Sequence, residues 1–214
     1  MFLVLLVMYG TLIRSDGASV KFVAMQQSPD VAELFEKLRL PDTTTNAFVQ
    51  LAARAKSDPS AKTYLGAHLP ALIDEGPEYN IQEPTPNSNG GVSQVWLNAV
   101  ALAGKLKVTQ AIPVLTKWIS VDTSVMGSLS TATALTNNPA AQALIQIGNP
   151  AVPALQAILQ NGKSDERWGA YRTLAQIGTP QAGGVLRRHL PHETDPGLAA
   201  AIRQTLSKRK FNHQ

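Results

Sequence analysis

Cysteine is absent from the 214 residues. That excludes a disulfide framework, a cysteine-ligated zinc site and thiol catalysis, and it is silent about compartment. Aromatic residues are scarce at 6% and charged residues make up 16%, against 44% hydrophobic residues. The apolar interior is therefore drawn mainly from Ala, Leu, Val and Ile, a small-residue set that suits closely packed helices. No phosphate-cradling glycine loop is present. A Gly-x-Ser-x-Gly elbow is lacking too: Gly127-Ser128 lies in a run rich in Ser and Thr, without the strand-turn-helix context a nucleophile needs. The longest apolar run, Met1 to Ile13, falls short of the roughly 20 residues of a comfortable membrane span.

What the chain does have is an internal repeat. Ala140 to Leu155 reads Ala-Ala-Gln-Ala-Leu-Ile-Gln-Ile-Gly-Asn-Pro-Ala-Val-Pro-Ala-Leu, and the line opening at Ala170 repeats its skeleton. Leu174 answers Leu144, Gln176-Ile177-Gly178 answers Gln146-Ile147-Gly148, and Pro180 answers Pro150. Self-similarity at a period of about 20–50 residues marks a stacked-repeat architecture. Ala140, Ala143, Leu144 and Ile147 recur at three- and four-residue steps, which places them on one helical face. Gly148 follows the last apolar residue, where a helix commonly ends in a left-handed residue that only Gly adopts cheaply. Asn149 is placed to cap a second helix and Pro150 to occupy its first turn. Val152, Leu155, Ile158 and Leu159 form that helix's apolar stripe. One repeat is thus a helical hairpin closed by a two-residue corner, and Ala140 and Ala170 mark a place where helices approach closely.

This line resembles the HEAT-like repeats of the phycobilisome-lyase type, whose usual pattern is an Ala-rich helix, Leu-Gly-x-Ile-Gly-Asp-Pro, then Ala-Val-Pro-x-Leu. Leu144 to Leu155 matches it with Asn149 in place of Asp. The next unit carries Asp165 and Arg167, resembling the family's Asp cap and inward Arg. It departs at Gly183, where the family's second-helix Pro would sit. The resemblance covers about a quarter of the chain, and it implies an all-α right-handed superhelix, a solenoid of stacked helical hairpins. An ordinary helical bundle with two similar hairpins is the competing reading.

The rest of the chain follows the same punctuation. Met1 to Ile13 has the size of a signal-peptide core, and Gly17-Ala18-Ser19 offers small residues for cleavage, although the usual positive start is missing. The expectation is a signal peptide over 1–19, an export signal that implies a periplasmic or extracellular location; an uncleaved anchor and a structural helix are the alternatives, the last implying the cytoplasm. The repeat domain spans 20–214, and its residues 20–28 read as a polar spacer. Ser28-Pro29-Asp30 gives a cap, a first-turn proline and an acid for a helix bearing Val31, Leu34, Phe35 and Leu38, which Pro41 stops. Thr43–Thr45 starts a second helix, and Asp58-Pro59 a third that Pro70 should kink or weaken. Residues 76–91 read as a long loop, of a length usually functional or a linker. Val95, Trp96, Ala99, Val100 and Ala103, then Ile112-Pro113-Val114-Leu115, make another repeat with a longer corner. Residues 120–138 are an insertion, and Asp195-Pro196-Gly197 opens a last helix that caps the stack.

Candidate chemistry is sparse. His189-Leu190-Pro191-His192-Glu193 has a His-x-x-His spacing, but Pro191 interrupts the helix between the ligands and no third ligand is evident. Two exposed loop histidines are the simpler reading, and no metal or cofactor site is assigned. Residues 163–214 hold nine basic and four acidic side chains, net +5, against net −1 for 1–162. In stacks of this kind the second helices line the concave side. With Val152, Leu155, Ile158, Leu159 and Val185 inward, the outward side chains are Gln156, Gln160, Arg187 and Arg188, with Lys117 placed similarly beside Leu115 and Trp118. These five form the candidate binding strip, without catalytic geometry. The leading function is a non-catalytic protein-interaction or scaffold module; the alternatives are nucleic-acid binding through the basic C-terminal part and an accessory subunit resembling bilin lyases.

Overall fold

The computed structural model describes residues 30–77, 92–121, 138–209 and 211. Among them are ten α-helices and no strand. They are α1 (Val31–Leu38), α2 (Thr44–Ser57), α3 (Pro59–Asp74), α4 (Gln94–Lys105), α5 (Ile112–Lys117), α6 (Pro139–Ile147), α7 (Val152–Asn161), α8 (Ser164–Ile177), α9 (Pro180–His189) and α10 (Pro196–Lys208). The first helices of the hairpins, α2, α4, α6 and α8, pack in succession as one layer, and the second helices, α3, α5, α7 and α9, as another. At one end α1 packs on α2, α3 and α4; at the other α10 packs on α8 and α9. This is an all-α stack of helical hairpins. The expected signal peptide over 1–19, the expected spacer over 20–28, nearly all of the expected 76–91 loop and most of the expected 120–138 insertion lie outside the described residues.

The helix starts follow from local chemistry. Proline stands in the first turn of α3, α5, α6, α7, α9 and α10, where its missing N–H costs nothing and its fixed φ suits the helix. The preceding side chain often caps: Asp58 Oδ1 accepts from Ser60 N at 2.9 Å, Asn138 Oδ1 from Ala141 N at 2.8 Å, and Asp195 Oδ1 from Gly197 N at 2.8 Å. Each such cap is worth about 1 kcal/mol. Asp30 caps α1, accepting from Val31 N at 2.6 Å, while the expected cap and proline at Ser28-Pro29 lie outside the described residues. α3 runs unbroken through Pro70 because buried Leu65, Leu69, Leu72 and Ile73 clamp the turns on either side.

The corners differ from the two-residue expectation in one case. Between α8 and α9 only Gly178 and Thr179 intervene, with Gly178 at φ +69 and Thr179 capping Ala182 N. Between α6 and α7 the corner has four residues: Gly148 at φ +82 and a 3-10 turn over Asn149–Ala151. Pro150 therefore sits in that turn, not in α7. Asn149 does not cap; its Oδ1 accepts a 2.5 Å hydrogen bond from Thr179 Oγ1, which links the two corners across thirty positions. The longer corner between α4 and α5 opens instead through Lys107, whose φ of +53 makes it the one non-glycine at positive φ among the described residues.

One apolar core runs through the stack, and burying each large aliphatic side chain stabilises it by about 1.5–3 kcal/mol. Its tightest seam is between α4 and α6. A Cβ on Gly104 would lie 2.8 Å from the Ala143 Cα, so only glycine lets these backbones approach. Ala140 and Ala170 are also fully buried, as their repeat positions suggest. Two polar groups that enter the core between α3 and α4 and between α2 and α4 are paired: Trp96 Nε1 donates to Ile73 O at 3.1 Å, and Asn98 Nδ2 to Thr44 Oγ1 at 3.1 Å.

Candidate functional site

The second-helix layer carries a groove of about 670 Å³ where α7, α8 and α9 meet. Leu159 of α7 and Val185 of α9 are its buried apolar lining. Gln156 and Gln160 line it from α7 and Arg188 from α9. They stand there because the apolar positions of both helices are turned into the core, which leaves the intervening side chains on the outer surface. A Cβ added at Gly184 would lie 3.4 Å from Arg188 Nη1, so the guanidinium lies back along α9 over that glycine.

Beside the groove sits a charged knot. Glu193, whose side chain is 0% exposed, accepts from His189 Nε2 at 2.8 Å and from Asp195 N at 2.8 Å, and pairs with Arg167 Nη1 at 3.1 Å. Burial pushes the Glu193 carboxyl up, but the Asp195 N–H, the His189 hydrogen bond and the Arg167 charge outweigh it and hold the group below its ordinary value. The Leu198 N–H, with that of Gly197, likewise holds the neighbouring Asp195 carboxyl low. Arg167 is inward, 20% exposed, and its Nε is buried without a hydrogen-bond partner. The expected Asp165 cap of α8 is instead supplied by Glu166, whose Oε2 accepts from Lys163 N at 2.8 Å.

The His-x-x-His reading changes accordingly. α9 ends at His189 and a 3-10 turn covers Leu190–His192, as Pro191 requires. His192 is exposed, but the His189 side chain is only 9% exposed and bound to Glu193, so the pair is not two exposed loop histidines. Among the described residues no three His, Asp or Glu side chains gather as metal ligands would.

Of the five strip residues the fold brings together three, Gln156, Gln160 and Arg188. Lys117 and Arg187 lie elsewhere. The exposure pattern of 111–120 is identical to that of 151–160, so Lys117 is the counterpart of Ala157, one step and about 100° round the helix from Gln156. There its Nζ pairs with Asp74 at 2.7 Å and lies 5.1 Å from the Trp118 ring, lining a separate groove between α3 and α5. Arg187, adjacent to Arg188, is turned away by the same rotation and lies over the Phe211 ring at 5.9 Å.

Phe211 also explains the missing proline at Gly183. A Cβ there would come within 2.6 Å of the Phe211 ring, which packs back on α9. Arg209 turns back with it: its Nη1 donates to Ala175 O and its Nη2 to Gln176 Oε1 at 3.4 Å. A cation thus meets the carbonyl end of α8, where the helix dipole favours it. The basic tail is in this part structural.

Three comparisons bear on identity. No curated protein and no solved structure matches the chain significantly. Residues 129–207 match the family model for HEAT repeats, the stretch that contains both hairpins read from the sequence, while the phycobilisome-lyase type is not reached by that match. The matched part of the chain, which holds α6 to α9, is therefore similar to HEAT repeats, and α2 to α5 continue the same two layers.

Proposed function

We propose that this protein is a non-catalytic interaction module whose partner, another protein, docks on the second-helix layer. HEAT repeats generally mediate protein interactions and scaffolding, because stacking buries each hairpin's apolar faces and leaves an extended surface outside. The observation that carries the reading is the groove of α7, α8 and α9, where polar side chains at the surface are backed by a closed core. A photo-crosslinking residue at Gln160, in the groove, should yield a discrete protein adduct in the native host. The same residue at Gln204, exposed on α10, should not. Equal labelling from both positions would remove the docking assignment.

Export belongs to the same proposal: the apolar run and Gly17-Ala18-Ser19 support a location outside the cytoplasm, and mature protein should then begin near Val20. Intact Met1 on cytoplasmic protein would count against it. Nucleic-acid binding is the weaker reading, since the basic residues do not form one free face. Arg167 is paired with Glu193, Arg172 lies over Trp168, Arg187 over Phe211, and Arg209 caps α8.

A further inference from the structure

We propose that the groove receives an acidic segment of the partner, with one Asp or Glu carboxylate seated against Arg188 and its main chain against Gln156 and Gln160. The proposal rests on reading the protein as an interaction module and adds the chemistry of what it holds.

Charge points to the ligand first. The formal charges that line the groove are the guanidinium groups of Arg167 and Arg188, with His189 and His192 beside them. The carboxylate nearest them, Glu193, is shut away from solvent and occupied by Arg167, His189 and the Asp195 N–H. It offsets the charge of Arg167 and leaves that of Arg188 uncompensated: among the described residues no carboxylate lies within ion-pair distance of Arg188. A guanidinium presents a planar fork of N–H donors that matches a carboxylate bidentately. Arg167 adds an unspent donor, its buried Nε, and a buried donor without a partner is costly enough to favour any acceptor that reaches it.

The remaining lining suits a peptide. Gln156 and Gln160 each offer a carbonyl acceptor and an NH₂ donor, the complement of main-chain N–H and C=O groups. About 670 Å³ is space for several residues rather than a single ion. A nucleic acid would need cations repeated along a path, and the neighbouring arginines are already engaged as described.

The test uses fluorescence anisotropy at low salt with the full chain and two labelled probes, Gly-Leu-Glu-Leu-Glu-Gly and its counterpart with Gln for each Glu. The acidic probe should bind at least tenfold more tightly than the neutral one. Arg188→Glu should abolish that preference with the far-UV circular dichroism spectrum unchanged, and Arg203→Glu, on α10 outside the groove, should leave it intact. Arg188→Lys should recover part of the binding. Equal affinity for both probes, or equal effects of the two charge reversals, would overturn the proposal. So would an Arg188-dependent affinity for duplex DNA exceeding that for the acidic probe. If the Gln160 crosslinker captures a protein while the acidic probe fails, the acidic chemistry falls and the docking reading stands; if no adduct forms, the docking reading falls first.

Discussion

Glu193 is a polar side chain whose removal should be felt strongly in this fold. Replacing it with Ala takes away the acceptor of the His189 and Asp195 bonds and the counter-charge of Arg167. Breaking a buried pair by deleting one partner costs about 3–5 kcal/mol, since the survivor stays desolvated and unpaired. Arg167 keeps a fifth of its side chain in water, so the lower end is expected, about 3 kcal/mol. Glu193→Gln keeps an acceptor for the Asp195 N–H but loses the charge, and should cost about 1–2 kcal/mol. Urea unfolding followed by circular dichroism at neutral pH measures both. The sign with pH follows from the lowered Glu193 pKa. A carboxyl whose folded-state pKa lies below its unfolded value contributes stability that is fully present above the ordinary 4.5 and is lost as pH falls through the folded value. The gap between the natural chain and Glu193→Gln should therefore hold down to about 4.5 and close below it. An Ala variant within about 1 kcal/mol of the natural chain, or a gap that does not narrow in acid, would refute the reasoning.

Gly148→Ala and Gly178→Ala should each destabilise by about 1 kcal/mol or more in urea melts, from positive φ rather than collision; at Gly148 an added Cβ meets nothing within 4 Å, so a neutral result there would show that the corner relaxes. Lys107→Gly should do the reverse, stabilising by about 1 kcal/mol or less, because Lys107 holds the left-handed conformation at φ +53 that glycine adopts without penalty. Phe211→Ala should lower stability by about 1–2 kcal/mol through lost burial. Gly183→Ala should destabilise the natural chain by forcing the ring off α9, yet stabilise the Phe211→Ala chain by about 1 kcal/mol through helix propensity; the same sign in both backgrounds would mean that the ring does not pack there.

Two levels of information separate cleanly in this protein. The sequence alone determined the repeat, the positive-φ glycines at 148 and 178, the proline-marked starts and the closing helix at Asp195-Pro196. These are properties of a few adjacent residues: an N–H with no partner, a φ that Cβ forbids, an apolar step of three or four. Even so, local signals fixed the kind of corner better than its geometry, since Asn149 and Thr179 share a repeat position and only Thr179 caps a helix. The tertiary structure decided which side chains meet. Arg167 and Glu193 are brought together by how α8 packs against the turn after α9, and nothing in His189-Leu190-Pro191-His192-Glu193 identified the carboxylate as buried; its four-residue spacing from His189 was the one available hint. Lys117 was placed in the strip by likeness to a later helix, but a register displaced by one residue turns a side chain about 100°, enough to exchange a groove for a neighbouring face. Arg187 and Arg188 parted for the same reason, and the positions of Arg209 and Phe211 depend on the chain returning to α8 and α9 more than two dozen residues back. Backbone preferences are written locally, whereas a side chain's partner is set by the packing of whole helices, and the groove consists of partners.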